Sequence, residues 1–411
     1  MLSVLITVLS PLLSLVILTV GNGFFVTYVT VRLHLEGVPA WMIGAISAAY
    51  YAGLVFGSFR IEPFIIRVGH IRAYAAFASL VATTILLQAL YINPWWWLIL
   101  RLISGYCMAG LFITIESWLL VKSEKGTRGQ VLSLYMISFY AAQALGQFLL
   151  SAGDLKGIVP FILAALLSSL SVVPLAMTRT ATPHFEEPSA LNFFQLYRIS
   201  PVGIFGCFCS GLIMGAIYGL LPLYISQIQP ETETIALLMG ATIFGGMLLQ
   251  YPVGKLSDAL DRRKVILGVV ALVLALSILI TTPLSHALFI LLILLFFFGG
   301  LTFTIYPLSI SYALDYLQSK DTVAATQGLL LAYSVGATFG PLLGPGFMHL
   351  AGPRGLFFYF IAIGSLLTIL VLWRSVTSPG VPKEEQQEFI PIPRTTPVGT
   401  ELNPRQPKSE S

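Results

Sequence analysis

The chain has 411 residues, of which 56% are hydrophobic and only 10% charged, with a mean hydropathy of +0.87. A water-soluble globular protein carries about a quarter charged residues, so this composition excludes one and reads as a chain embedded in lipid. The formal charge of +4 is spread over loops and a tail and not gathered on one face, so nucleic acid is not expected as a partner.

Crossing a bilayer takes about 20 apolar residues in helical form. Runs of that length recur at 3–30, 40–66, 73–92, 95–121, 129–152 and 158–177, and again at 201–226, 234–257, 265–282, 287–313, 323–350 and 355–373. Their length and continuity call for helices; a barrel would show about ten-residue segments of alternating polarity. The expectation is an all-α membrane protein of twelve transmembrane helices. No Lys or Arg precedes the first run and no cleavage signal follows it, so a retained first helix is expected. Residues 178–200, with Pro183, Glu186, Glu187, Pro188 and Arg198, split the runs into two sets of six. The expected organisation is therefore an N-terminal six-helix bundle (1–177), a cytoplasmic central loop (178–200), a C-terminal six-helix bundle (201–373) and a tail (374–411). The tail is proline-rich and poor in large apolar groups, so it is expected to be disordered. A weak repeat supports the halves: Thr127-Arg128-Gly129 with Tyr135 and Gly146 in the fifth run, Thr326-Gln327-Gly328 with Tyr333 and Gly340 in the eleventh.

Of the 22 Lys and Arg residues, all but Arg32, Arg101, Lys156 and Arg354 fall in the even-numbered loops or the tail. The positive-inside rule then puts both termini in the cytoplasm, and Trp95, Trp96 and Trp97 at the outer interface, where indole rings prefer the headgroup boundary. Cys107, Cys207 and Cys209 lie within apolar runs and read as small buried hydrophobes. The five histidines are scattered without ligand spacing, so neither a metal nor any other cofactor is expected. No phosphate-loop motif and no nucleophile with a base and an orienting acid is visible, so the chain is not expected to be an enzyme or a nucleotide-driven pump.

Gly254-Lys255-Leu256-Ser257-Asp258-Ala259-Leu260-Asp261-Arg262-Arg263-Lys264 follows the eighth run. It resembles the signature loop of the major facilitator superfamily at the glycine, leucine, aspartate and basic positions, departing at Asp261, where a second glycine would stand. An aspartate here can meet the positive end of a neighbouring helix and pair with arginine, latching two bundles at the inner face. The loop after the second run, through Arg67, Gly69, His70 and Arg72, is a degenerate copy with Ile66 at the aspartate position. The candidate gate residues are thus Gly254, Asp258, Arg262 and Arg263 with Gly69 and Arg72. Together with Trp95-Trp96-Trp97, Arg101, Glu116-Ser117-Trp118 and Arg128-Gly129, the segment 57–150 resembles the YcaD-like bacterial branch. The resemblance implies a transporter of the bacterial cytoplasmic membrane, of sugar or drug type, in which the first, fourth, seventh and tenth helices line a central cavity.

Ionisable residues inside a span are costly and therefore candidate functional groups. Arg101 and Glu116 share the fourth run, roughly 22 Å apart along its axis, so they do not pair with each other. Arg101 either faces the cavity and attracts a polar or anionic substrate group or snorkels to the interface. Glu116 either carries a proton or pairs with Arg72 or Arg128 at the rim. Asn22, held between Gly21 and Gly23, is a ligand contact or an interhelical hydrogen bond. Gln143, Tyr218 and Tyr306 are further candidates for substrate contact. In the eleventh run, Gly336, Gly340 and Gly344 with Pro341 and Pro345 suggest close packing and a hinge. The expected function is a secondary or facilitative transporter of a small organic solute working by alternating access, with proton coupling open, as a monomer in the bilayer. The alternative is a transporter-shaped receptor or scaffold acting through its tail.

Overall fold

A computed structural model describes residues 2–123, 126–177, 196, 199–317, 322–377, 381–400 and 402. The central loop 178–200 lies outside the described residues except for Leu196, Ile199 and Ser200. The first bundle comprises α1 (Leu2–Leu35), α2 (Ala40–Arg60), the short α3 (Glu62–Val68), α4 (His70–Leu90), α5 (Pro94–Lys122), α6 (Arg128–Gly146), α7 (Val159–Leu170) and α8 (Val172–Ala176). The second comprises α9 (Pro201–Ile228), α10 (Thr232–Ala259), α11 (Arg262–Thr281), α12 (Leu288–Leu314), α13 (Thr322–Ala351) and α14 (Gly355–Thr377). No strand occurs among the described residues.

Among the described residues, ten stretches are long and apolar enough to cross a membrane, and one of them, Ala324–Thr377, holds α13 and α14 on either side of the turn Gly352–Arg354. The twelfth crossing is α6, continued by the 3-10 turn Gln147–Ala152. Arg128, Gln130, Ser133 and Gln143 dilute its apolar character because it faces α10 of the other bundle rather than lipid alone. The two halves are therefore six crossings each, as the spacing of apolar runs predicts. Cys107, Cys207 and Cys209 are buried and free.

The bundle has two unlike ends. One, called here the basic end, carries Arg60, Arg67, Lys122, Arg262 and Arg263; the other, the Trp end, carries Trp41 and Trp95, whose rings meet edge to face. Asn93 caps α5 by accepting from the backbone N–H groups of Trp95 and Trp96. Trp95 is 64% exposed, as an interfacial indole should be, but Trp97 differs from the expectation: it is fully buried, donating to the carbonyls of Gln88 and Tyr91. One face of α5 turns toward lipid and the other toward the bundle, so three consecutive tryptophans cannot share one environment.

The halves touch closely toward the Trp end. Gly44 of α2 lies under the Pro341 carbonyl of α13, and a Cβ at Gly44 would collide with that backbone oxygen. Thr30 donates to the Gly219 carbonyl at 3.1 Å, joining α1 to α9. Within the second half, α13 crosses α9 at Gly336 and Gly340, where any side chain would meet the backbone of Phe208 and Leu212. This is the close ridge that the four-residue glycine spacing announces. Toward the basic end residues 381–400 lie between the halves, bonded to Asp258, Arg262 and Asp315 of the second and to Glu116 and Tyr140 of the first.

Candidate functional site

At the centre of the molecule Arg101 points inward from α5. The residue is only 2% exposed, and its guanidinium stacks over the Tyr50 ring at 4.1 Å with Phe25 at 5.8 Å. Tyr50 in turn donates to Asn22 Oδ1 at 3.2 Å. The Nε and Nη1 groups of Arg101 have no hydrogen-bond partner among the described residues. Arg101 is buried between α1, α2 and α5 and does not extend to the interface. Asn22, Tyr50 and Arg101 thus bring α1, α2 and α5 together around one cationic group. Gly23 does not bend α1, which runs unbroken; it lets α1 approach the Gln143 backbone of α6, and Gln147 Nε2 donates to the Gly23 carbonyl at 3.0 Å.

Gln143 and Tyr218, proposed separately from the sequence, meet across the two bundles: Tyr218 Oη donates to Gln143 Oε1 at 2.8 Å. Around them stands an aromatic wall. Tyr140 of α6 faces Phe303 of α12 with ring centroids 5.5 Å apart, and Tyr218 faces the same Phe303 at 6.1 Å. Tyr306 packs at a tilt against Tyr333 with centroids 4.7 Å apart, and its buried hydroxyl has no hydrogen-bond partner among the described residues. Tyr50, Tyr140, Phe303 and Tyr333 were not singled out for substrate contact from the sequence, since aromatic residues are too common in this chain for any one to stand out.

Glu116 is fully buried near the basic end of α5. Its carboxylate accepts from Tyr135 Oη at 2.6 Å and from the hydroxyls of Thr395 and Thr396 in the C-terminal segment. The partners expected for it, Arg72 and Arg128, are replaced in this role by hydroxyl donors; Arg72 is exposed on α4.

The signature loop forms a charge cluster at the basic end. Arg262 is 1% exposed and donates to Asp315 Oδ2 at 2.6 Å, the Ser311 carbonyl at 3.1 Å, Ser257 Oγ at 2.9 Å and Asp258 Oδ1 at 3.4 Å. Arg263 donates to the hydroxyls of Tyr312 and Tyr316 at 3.0 and 2.7 Å. Asp261, the departure from the family pattern, caps α11 by accepting from the Arg263 backbone N–H at 2.9 Å. These bonds tie α10 and α11 to α12 within one half. In the degenerate copy, Gly69 has φ of +90° at the break between α3 and α4, a conformation that explains the glycine.

The tail differs most from its expectation. Residues 381–400, expected to be disordered, run from the signature loop into the space between the halves. The Gln387 carbonyl accepts from Arg262 Nη2 at 2.7 Å, the Gln387 N–H donates to Asp315 at 3.1 Å, and the Phe389 N–H donates to Asp258 at 2.7 Å. The Phe389 ring covers Gly254, where a Cβ would strike it. Arg394 then reaches the aromatic wall, donating to Tyr140 Oη at 2.7 Å with its guanidinium 4.6 Å from the Phe303 centroid. Thr395 and Thr396 seal Glu116, and the turn Pro397–Thr400, here α15, packs on α5 and α13. The segment could not bury enough surface alone in water; the cavity walls supply the partners its own sequence lacks. Among the described residues, Asp258 bonds Arg262 and, through the Phe389 N–H, the tail that runs on to the first bundle.

Two neighbouring cavities are secondary. A crevice of about 500 Å³ between α6, α10 and α12 has walls such as Leu145, Phe148, Phe244 and Phe296 and nothing polar to orient a solute. A smaller one of about 240 Å³ lies between Tyr140, Gln250, Asp258 and Phe389, where the tail leaves a gap beside α6 and α10.

Comparison with known proteins agrees with this architecture. The Major Facilitator Superfamily model matches residues 7–230 and 203–407. The chain is 30% identical over 373 residues to the uncharacterised MFS-type transporter YcaD of Salmonella arizonae, covering 89% of this chain and 94% of that one. It is 29% identical over 370 residues to YcaD of Escherichia fergusonii, covering 88% and 94%. Among solved structures, the nucleoside transporter NupG superposes with a TM-score of 0.71 at 14% identity, covering 90% of this chain and 98% of that chain. A point mutant of NupG superposes with a TM-score of 0.74 at 13% identity, covering 89% and 99%. At that identity the likeness to NupG concerns the fold. Two six-helix halves, the charged loop after α10 and the match along nearly the whole sequence make this chain a member of the Major Facilitator Superfamily, a membrane transporter of its YcaD-like bacterial branch.

Proposed function

We propose that the chain moves a small organic solute across the bacterial cytoplasmic membrane by alternating access, rocking its two six-helix halves around a central site. The basic end faces the cytoplasm in this reading, because the Lys and Arg residues collect there. One observation carries the site: Arg101 is a buried cation with two donor groups unmatched, set between helices beside Asn22 and Tyr50. Leaving a charged donor unsatisfied in a low-dielectric interior costs several kcal/mol as an order of magnitude. A substrate carboxylate, phosphate or polar oxygen would remove that cost. The contact between Gln143 and Tyr218 supplies a second element, since it spans the halves and must break or re-form as they move.

Close contact at the Trp end by Thr30, Gly44 and Gly219, with only the tail bridging the halves at the charged loop, fits the inward-facing phase of such a cycle. Glu116 is the group on which a proton-coupled cycle would turn, and its present hydroxyl partners come partly from the tail. Both halves and the whole path belong to one chain, so the monomer is the proposed working unit. The receptor reading gains nothing from the structure, because the tail finds its partner inside its own chain.

The test is thermal stability of the purified protein against sugars, organic acids, amino acids and organic cations. A ligand at about 100 times its Kd stabilises the native state by roughly 2.7 kcal/mol. Related compounds bearing an anionic or strongly polar group should raise the midpoint of the wild type and not of Arg101→Ala. If the stabilising compounds act equally on Arg101→Ala, the site is elsewhere.

A further inference from the structure

The guanidinium of Arg394 is held as a ligand would be. It is threaded from the C-terminal segment into the centre of the molecule, and three aromatic faces receive it: Phe303 at 4.6 Å, Tyr140 at 5.6 Å and Tyr333 at 5.8 Å. Its Nη2 donates to Tyr140 Oη at 2.7 Å. Tyr140 comes from α6, Phe303 from α12 and Tyr333 from α13, so the enclosure is built by both halves and depends on their relative position. Each ring face attracts the guanidinium through its quadrupole, and more strongly where water is excluded.

Around this contact the segment is anchored at both sides. Gln387 and Phe389 bond the second half through Arg262, Asp315 and Asp258, while Thr395 and Thr396 bond the first through Glu116. Ile392, Thr396 and Leu402 are almost wholly buried. The bonds run along the path a solute would take from the basic end to the centre, and they tie together two halves that must move apart or rock.

From this geometry we infer that the enclosure of Tyr140, Phe303 and Tyr333 is a binding site for a planar organic cation, and that residues 381–400 are a tethered plug that occupies it with Arg394. An amidinium or guanidinium group on a small molecule competes with the chain's own guanidinium for the same three faces. Binding then expels the tail and frees Asp258, Arg262 and Glu116 from it. Tethering makes the plug effective despite weak individual contacts, since a linked group acts at an effective concentration in the millimolar range. The inference deepens the transporter reading by naming a ligand class and a form of autoinhibition at the same path.

Equilibrium binding tests it without flux, so its failure is separable from failure of the transport proposal. The probe is benzamidinium, with benzamide as the neutral isostere, titrated by calorimetry into the full chain and into full-length Arg394→Ala. The variant should bind benzamidinium at least tenfold more tightly than the wild type, benzamide should bind to neither, and adding Phe303→Leu should abolish the gain. Equal affinity of wild type and variant, or binding of benzamide as strong as that of benzamidinium, overturns the proposal. A second measurement needs no substitution: saturating benzamidinium should raise amide hydrogen exchange over 385–400 in the wild type, while benzamide should leave it unchanged. Protection of that segment unaltered by bound benzamidinium overturns the plug.

Discussion

Replacing Arg262 with alanine removes the most heavily bonded side chain at the basic end. The guanidinium is fully buried and makes contacts to Asp315, Ser257, the Ser311 carbonyl, Asp258 and the Gln387 carbonyl. The bond to Asp258 is long, at 3.4 Å, and that carboxylate is 38% exposed, so this part contributes about 0 to 1 kcal/mol. The pair with Asp315 is different: it is 2.6 Å long, with side chains 1% and 2% exposed. Removing one partner of a buried pair costs about 3 to 5 kcal/mol, because the other charge is left unmatched. The assay is unfolding in dodecyl maltoside micelles titrated with dodecyl sulfate, following near-ultraviolet dichroism. Arg262→Ala should lose about 3 to 5 kcal/mol, Asp258→Ala less than about 1 kcal/mol, and the double replacement Arg262→Met with Asp315→Leu should recover most of the loss. A loss below about 1 kcal/mol for Arg262→Ala, or equal losses for the Asp258 and Asp315 replacements, would refute the assignment of Asp315 as the principal partner.

Three further outcomes follow from named contacts. Gly340→Leu sets a side chain against the Leu212 backbone carbonyl, so the α9 and α13 crossing must open; a loss of at least about 2 kcal/mol, or failure to recover a monodisperse protein, is expected by unfolding and size-exclusion chromatography. Tyr135→Phe deletes a hydroxyl donor to the buried Glu116 carboxyl, which costs about 1 to 3 kcal/mol on the same scale, and near-neutral stability would contradict that bond's contribution. Tyr218→Phe breaks the single bond from α9 to Gln143, so solute flux in proteoliposomes should change while stability falls by only about 1 kcal/mol; a flux identical to wild type would remove this bond from the working cycle.

The fold was legible because lipid imposes simple demands on sequence. Apolar runs of crossing length, the basic bias of alternate loops and the four-residue glycine spacing each map onto a helix, an end or a seam. The signature loop was recognisable, yet its partner Asp315 was not, because an aspartate just past a span looks like any loop residue until α11 and α12 are placed side by side. Arg101 had two equally good destinations on one helix, and only the positions of Tyr50 and Phe25 decide between them. The tail's path was hidden for a stronger reason: Phe389, Ile392, Arg394 and Thr396 make sense only against walls contributed by α5, α6, α10 and α12. Periodicity reports what a segment does within itself, and these contacts connect positions more than a hundred residues apart.

Transport as proposed requires the two halves to rock about the centre while the Trp end and the basic end open in turn. Spin-label pairs at Glu36 with Glu231 near the Trp end, and at Arg67 with Lys264 near the basic end, read both gaps at once by dipolar distance measurement. Alternating access predicts a short Trp-end distance without ligand, and, with a stabilising compound bound, a second population in which that distance lengthens as the basic-end distance shortens. Distances that stay single and unchanged at both ends while a ligand is bound would contradict it.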